Sequence, residues 1–466
     1  MSLLIVSMDA TVVNVALPSI SKELDSTISG LQWTIDAYTL VLASLLMLSG
    51  STSDRLGRRR TFQIGLVLFT IGSALCSVAP NVTLLVVFRM VQAIGGSMLN
   101  PVAMSIITAT FSDPKQRARA VGVWGAVVGI SLGLGPVVGG ALVDSVGWRA
   151  IFWINIPIGI AAVVLTAYFV PESRSGRRRR FDPIGQLLMI VLLATLVGGL
   201  IEGPSLGWAS PFTVGLFAAS ALSLVGLLLY EPRRRDPLID LRFFRSIPFS
   251  SAVLTAIGGF ASNASFLFLI TLYLQEVRGL TPFQAGLHTL PLAGAQLIFS
   301  PISGRLVASV GTRRPLLLSA TALGIAAGLL TTIGAATPMP FLLSIFGLFG
   351  IGLGLLNAPI TTNAVSGMPL SQSGSAAAAA STSRQIGASL GVALAGTVTG
   401  IGASSSVGAD FPEATHAMWW TIVGIACLIF AMTVVADSPF GRRSRESVAF
   451  LLTDDKPVVV GATHKG

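Results

Sequence analysis

The chain has 466 residues, of which 52% are hydrophobic and only 11% charged, with a mean hydropathy of +0.79 and a formal net charge of +10. Soluble domains carry about 25% charged residues, so this composition excludes a water-soluble enzyme, a coiled coil and a disordered chain. The apolar runs are too long for the alternating strands of a membrane barrel, about ten residues each, which leaves helices as the spanning elements.

With about 20 residues per span, helices are predicted in chain order near 2–20, 33–53, 61–80, 82–110, 120–143 and 148–170. A basic stretch with four consecutive arginines at 177–180 follows, then helices near 184–203 and 211–230. Six more are predicted near 249–274, 283–303, 315–335, 340–360, 384–403 and 417–437, which makes an all-α polytopic membrane protein of 14 spans. The expected divisions are a six-helix bundle over 1–170, an inserted pair with flanking basic loops over 171–248, a second six-helix bundle over 249–437, and a polar tail over 438–466. The tail is expected to be a mobile extension.

With helix 1 running outward, 26 of the 30 lysines and arginines fall on the inner side; only Lys22, Arg149 and Arg278 fall outside, and Arg89 alone lies within a span. The basic excess therefore reports orientation rather than nucleic-acid binding, and both termini are expected in the cytoplasm, with the chain in the cytoplasmic membrane. The N-terminus lacks the basic segment and cleavage site of a signal peptide, so helix 1 is expected to stay in the mature protein. Cys76 and Cys427 both lie in apolar runs and are expected to be buried free thiols.

A cation inside a span is a functional-site candidate that needs an anion. Counting about 1.5 Å per residue, Arg89 lies about 12 Å and Asp9 about 16 Å below the outer surface, within the reach of an arginine. Burial and a nearby arginine act in opposite directions on a carboxyl group, so Asp9 is the first candidate to carry a proton. Asp36 and Glu202, near the outer ends of helices 2 and 7, are expected to be hydrated interfacial acids, with substrate capture the alternative for Asp36. Asn14, Gln92, Asn263 and Asn357 are, with Asp36, candidates to line a substrate cavity. His288 reads as a polar pore or packing residue. In helix 5, Gly125, Gly129 and Gly133 recur every four residues and are followed by Gly135 and Gly139, a pattern that allows close helix contact. Pro136 bends the same helix.

Two loops repeat a pattern. Gly50 and Gly57 flank Asp54 and Arg55 and precede Arg58, Arg59 and Arg60; Gly304 and Gly311 flank Arg305 and precede Arg313 and Arg314. The copies sit eight helices apart, as parallel repeats do in transporters. Asp54 lies four residues before Arg58, close enough to pair if the loop is helical there, and both glycines of the first copy are expected to permit a compact turn.

Gly50, Asp54, Arg55, Gly57, Arg58 and Arg59 resemble the signature loop of the major facilitator superfamily, and the inserted pair resembles its fourteen-helix drug:proton antiporters. Asp9 to Pro18 is similar to their first-helix motif. Gly129, Gly133, Gly135, Pro136, Gly139 and Gly140 look like their antiporter motif, and Trp148, Arg149, Phe152, Asn155, Pro157 and Gly159 look like the start of their sixth helix. The resemblance implies export of hydrophobic or cationic small molecules in exchange for protons, by a protein acting as a monomer in the lipid bilayer. It implies proton transfer at Arg89, a charge-relay latch at Asp54 and a leak-tight helix 5. Export of one dedicated metabolite or antibiotic, and proton-coupled uptake, are the alternatives. Ala308, where the second loop would carry an acid, departs from the pattern.

Nothing in the chain reads as an enzyme. No DxxD, HxxxH or CxxC cluster and no GxxxxGK[ST] is present, and with 3 histidines neither a metal site nor another cofactor is expected. Residues 350–354, GIGLG, lie within a span rather than after a strand, so they do not read as a nucleotide loop.

Overall fold

Six helices begin on a short polar side chain that accepts a free backbone N–H of the first turn. Thr27, Asn81, Asp113, Asp182 and Ser210 do this, and Thr281 with Gln284 forms a reciprocal capping box. The computed structural model describes residues 2–111, 113–173, 182–234, 237–400 and 410–453. Every long element among them is helical. In order they are α1 (Ser2–Leu24), α2 (Ile28–Leu56), α3 (Arg58–Ser77), α4 (Val82–Thr110), α5 (Pro114–Ser145), α6 (Ala150–Trp153), α7 (Asn155–Phe169), α8 (Pro183–Leu206) and α9 (Pro211–Tyr230). The remainder are α10 (Ile247–Leu272), α11 (Pro282–His288), α12 (Leu290–Val310), α13 (Arg313–Leu330), α14 (Met339–Val365), α15 (Leu370–Thr399), α16 (Phe411–Asp437) and α17 (Pro439–Thr453).

Among the described residues, 11 helices are long and apolar enough to cross a membrane. That is fewer than the 14 expected spans. The long helices α5, α12 and α15 are absent from this set, and all three are rich in glycine, alanine, serine or proline. The greatest departure from expectation is α15, which starts at Leu370 rather than near 384. Its first half is a run of alanine, serine and glycine, and alanine is the strongest helix former although only weakly apolar. The expected tenth span is broken at Thr289 into α11 and α12.

Two groups of helices share the core. In the first, α1 packs on α5, α4 on α2 and α3, and α7 on α3; in the second, α10 packs on α15, α14 and α16, α14 on α12, and α13 on α14 and α16. The groups meet along two seams, α2 against α15 and α5 against α11 and α12. The inserted pair α8 and α9 packs together, and α8 also reaches both α2 and α15.

The tail is not a free extension over its first half. α17 lays Val448 and Leu452 into an apolar cluster with Phe243 and Phe249, because these two residues are four apart and share one helix face. Cys76 is a buried free thiol as expected, whereas Cys427 is an exposed one on α16.

Candidate functional site: a buried ion pair and a glycine-lined seam

Asp9 is 3% and Arg89 1% exposed, and the two side chains meet: Arg89 Nη1 donates to Asp9 Oδ2 at 2.5 Å. The other carboxylate oxygen accepts from Gln92 Nε2 at 2.9 Å and from Asn155 Nδ2 at 3.1 Å. Both amides also point at the Ser73 hydroxyl, at 2.7 and 3.4 Å. Arg89 is held further by Gln92 Oε1 at 2.6 Å, by the Thr34 carbonyl at 3.3 Å and by the face of the Tyr38 ring, 4.1 Å from the guanidinium carbon. Residues of α1, α2, α3, α4 and α7 therefore close around one charge pair, all within the first group of helices. Close approach of α3 and α4 makes this geometry accessible: the side chain that Gly72 lacks would fall 2.5 Å from the Gln92 backbone nitrogen.

Depth counting pairs Asp9 with Arg89, but Ser73, Thr34 and Tyr38 carry no motif that would mark them in the sequence. Gln92, expected to line a cavity, is fully buried in this network instead. Asn14 is 5% exposed and donates to the Ala10 carbonyl at 3.2 Å. Asn263 is half-buried, with its Oδ1 unpartnered, and Asn357 is exposed. The histidine His288 bonds the Gln284 carbonyl at 2.7 Å.

Asp36 is not a hydrated interfacial acid. It is 0% exposed, covered where α2 meets α15, because the helix turns this side chain inward rather than toward the surface. Glu202 is half-buried and accepts from Trp33 Nε1 at 2.7 Å.

The signature loop is shorter than expected. Gly50 lies within α2 and makes no turn, and the chain reverses at Gly57 alone, whose φ of 106° suits glycine. The helix ends between Asp54 and Arg58, so the spacing does not stay on one helix; the Asp54 side chain lies outside the described residues. Gly311 ends α12 in the same way, with φ 80°, so the two loops share their backbone plan. The acid seen at the start of α3 is Glu172, from the end of the first group. Its carboxylate occupies the space beside Gly57 and accepts the backbone N–H groups of Arg59 and Arg60 at 3.2 and 3.3 Å. A carboxylate at a helix N-terminus is favoured by the helix dipole. No motif marked Glu172.

In α5 the glycines serve two faces. Gly135 and Gly139 lie against Thr11 and Val12 of α1, while Gly133 faces Ala293, and Gly140 abuts the backbone of Pro282 and Phe283. Pro136 presents its carbonyl to Gly286 of α11. The surroundings of Gly125 and Gly129 lie outside the described residues. The seam is tied by Asp144, which accepts the Phe283 N–H at 3.0 Å, by Gln275 bonding the Val15 carbonyl at 2.9 Å, and by the pair of Lys22 with Glu276 at 3.1 Å. The second seam is tied by Gln32 Nε2, which donates to the carbonyls of Val392 and Ala393 at 2.6 and 3.2 Å. All these ties sit at the ends of the helices remote from the arginine-rich loops, so that end is closed.

Residues 1–392 match the Major Facilitator Superfamily, and the chain belongs to that family: it is a multi-pass membrane protein of the transporter class. Among its relatives, the "Multidrug resistance protein Stp" of Mycobacterium tuberculosis (strain CDC 1551 / Oshkosh) is 38% identical over 85% of this chain and 74% of its own length. The "Tetracenomycin C resistance and export protein" of Streptomyces glaucescens is 34% identical over 88% and 76%, and a "Methylenomycin A resistance protein" of Streptomyces coelicolor is 36% identical over 84% and 82%. Among solved structures, a peptide transporter POT in complex with sulfate aligns over 95% of this chain and 94% of its own, with a TM-score of 0.67 and 15% identity. A D-xylose-proton symporter aligns over 93% and 94%, with a TM-score of 0.65 and 16% identity. These two speak to the fold alone.

Proposed function

We propose that this chain is a fourteen-span drug:proton antiporter that exports hydrophobic or amphipathic cationic compounds across the cytoplasmic membrane. Two six-helix bundles rock about a central cavity, with both termini and the arginine-rich loops in the cytoplasm. The observation that carries the coupling is the buried Asp9–Arg89 pair, an ionisable site deep in an apolar bundle. The export direction is supported by the antibiotic-resistance names of the relatives and by the glycine seam of α5. Asn14, Asn263 and Asn357 are the cavity residues this reading retains, and the loop 50–60, with Glu172, is its cytoplasmic gate.

The test is dye accumulation in inverted vesicles. An acid-inside gradient should drive cationic dye inward, and collapse of the gradient should release it. Uptake that ignores the gradient, or that requires ATP, would overturn the reading. A second reading, export of one dedicated antibiotic, is favoured by the single-compound names of two relatives. Resistance confined to one compound in a pump-deficient host would establish it.

A further inference from the structure

Only Ser438 separates the end of α16 from the start of α17. From there α17 is held level with the ends of other spans. Ser444 Oγ accepts the N–H of Ile247, the first residue of α10, at 3.0 Å, and Arg445 Nη1 lies 3.4 Å from Ser366 Oγ, just past the end of α14. Val448 and Leu452 pack with Phe243, ahead of α10. A helix tied at these points runs along the membrane boundary instead of projecting from it. Its free side is not the polar face that water would select: Phe440 is 70%, Phe450 66% and Leu451 37% exposed. At about 100° per residue these three fall, with Arg443 and Ser447, within about a third of the helix circumference, and Arg442 and Glu446 occupy the next sector round. The exposed apolar strip also continues from the last turn of α16, where Val434 and Val435 are exposed. Asp437 engages Arg313 and Arg442 at 3.3 and 3.5 Å, whereas Arg443 is exposed and pairs with no acid among the described residues.

Aromatic and aliphatic side chains grouped with a basic one on one side of a short helix suit the boundary between headgroups and acyl chains. A guanidinium there pairs with a phosphate, and an anionic leaflet attracts it. A soluble acidic protein could meet Arg443, but at the level of the span ends it would have to displace the lipid around α16. We propose that α17 is an interfacial anchor for an anionic leaflet: Phe440, Phe450 and Leu451 enter the acyl boundary, and Arg443 takes the phosphate of an anionic phospholipid. The helix packs mainly on α16, on α10 and on the turn that precedes α10, so it ties the second group of helices to that leaflet. The inference rests on the chain being embedded in a bilayer and not on what it transports.

The test uses full-length protein with Cys76 and Cys427 replaced, in vesicles of equal parts phosphatidylglycerol and phosphatidylcholine. A spin label at Ser447→Cys should be relaxed more by oxygen, which concentrates in lipid, than by a neutral water-soluble nickel chelate. A label at Glu446→Cys, on the polar sector, should show the reverse. Headgroup choice is read with a fluorophore at Ser447→Cys, by comparing quenching by phosphatidylglycerol and by phosphatidylcholine that carry brominated tails. Phosphatidylglycerol should quench more strongly, Arg443→Gln should cut that preference about fivefold, and Arg443→Lys should retain most of it. Greater access of the chelate than of oxygen at Ser447 would put this face in water, where a soluble partner could take it, and shielding from both would mean that the rest of the tail covers it. Either result overturns the proposal, and so does equal quenching by the two lipids in the parent protein. None of these readouts needs transport, so a protein that fails the dye assay loses the export reading and still tests the anchor.

Discussion

Neutralising both members of the Asp9–Arg89 pair should cost less than the sum of neutralising each alone. Asp9→Asn keeps the shape of the side chain but leaves one carbonyl oxygen where two oxygens now take three donors, from Arg89, Gln92 and Asn155. The new amide must turn its NH2 toward a donor on one side or the other. Removing one partner of a buried ion pair costs about 3–5 kcal/mol. Here the guanidinium retains Gln92 Oε1, the Thr34 carbonyl and the Tyr38 ring, which places Asp9→Asn near the lower end of that range. Arg89→Met, which leaves the carboxylate with only neutral donors, should lose about 4 kcal/mol on the same grounds. The double variant should lose less than the sum, with a coupling of about 2 kcal/mol or more. The assay is unfolding of purified protein in mixed micelles, followed by tryptophan fluorescence. Losses that add to within about 0.5 kcal/mol would refute the reasoning, since the two charges would then not sense one another.

Gly140→Leu should jam the α5–α11 seam, where even a Cβ would lie 2.7 Å from the Phe283 Cα. Overpacking of about 1–3 kcal/mol applies only to the closed state, so efflux should fall while membrane abundance holds, and spin labels across the seam should report the open form. Glu172→Gln should weaken the start of α3 by about 0.3–1 kcal/mol, seen as a lower unfolding midpoint whose difference shrinks in high salt; an unchanged midpoint would mean that the carboxylate contributes no dipole stabilisation. Cysteines at Ser175 and Ser447, in a background lacking Cys76 and Cys427, should resist an impermeant thiol reagent applied to intact cells, and labelling of either would reverse the proposed orientation.

Which parts of this arrangement could be read in advance follows from the kind of signal each residue leaves. Long apolar runs and charged residues stranded within them are visible to counting, which is why Arg89 and Asp9 were paired by depth. Rotation about a helix axis is not visible in the same way. Asp36 reads as interfacial when the helix is started near 33, but α2 begins at Ile28, which puts Asp36 eight residues, about 12 Å, into the helix, and counting does not say that this face packs on α15. Gly57 and Gly311 could be matched from spacing, yet the acid that fills the space beside Gly57 comes from a segment 115 positions later and belongs to no pattern. The early start of α15 was concealed because hydropathy scores alanine and serine weakly although they form helix readily.

The placement of α8 also bears on how a lipid-dissolved compound can enter. Leu193, Val197 and Ile201 of α8 cluster with Leu40 and Ala43 of α2 and with Ala393 of α15. Gln186 bonds the Ser44 carbonyl at 2.5 Å, and Thr397 bonds the Leu200 carbonyl at 2.7 Å. One helix thus covers the joint between the two groups of helices on the flank where α2 meets α15. A lipid-dissolved compound approaching that flank meets α8 before the α2–α15 joint, whereas on the other flank α5 meets α11 and α12 directly. The extra pair of spans therefore gives a pseudosymmetric machine a front and a back.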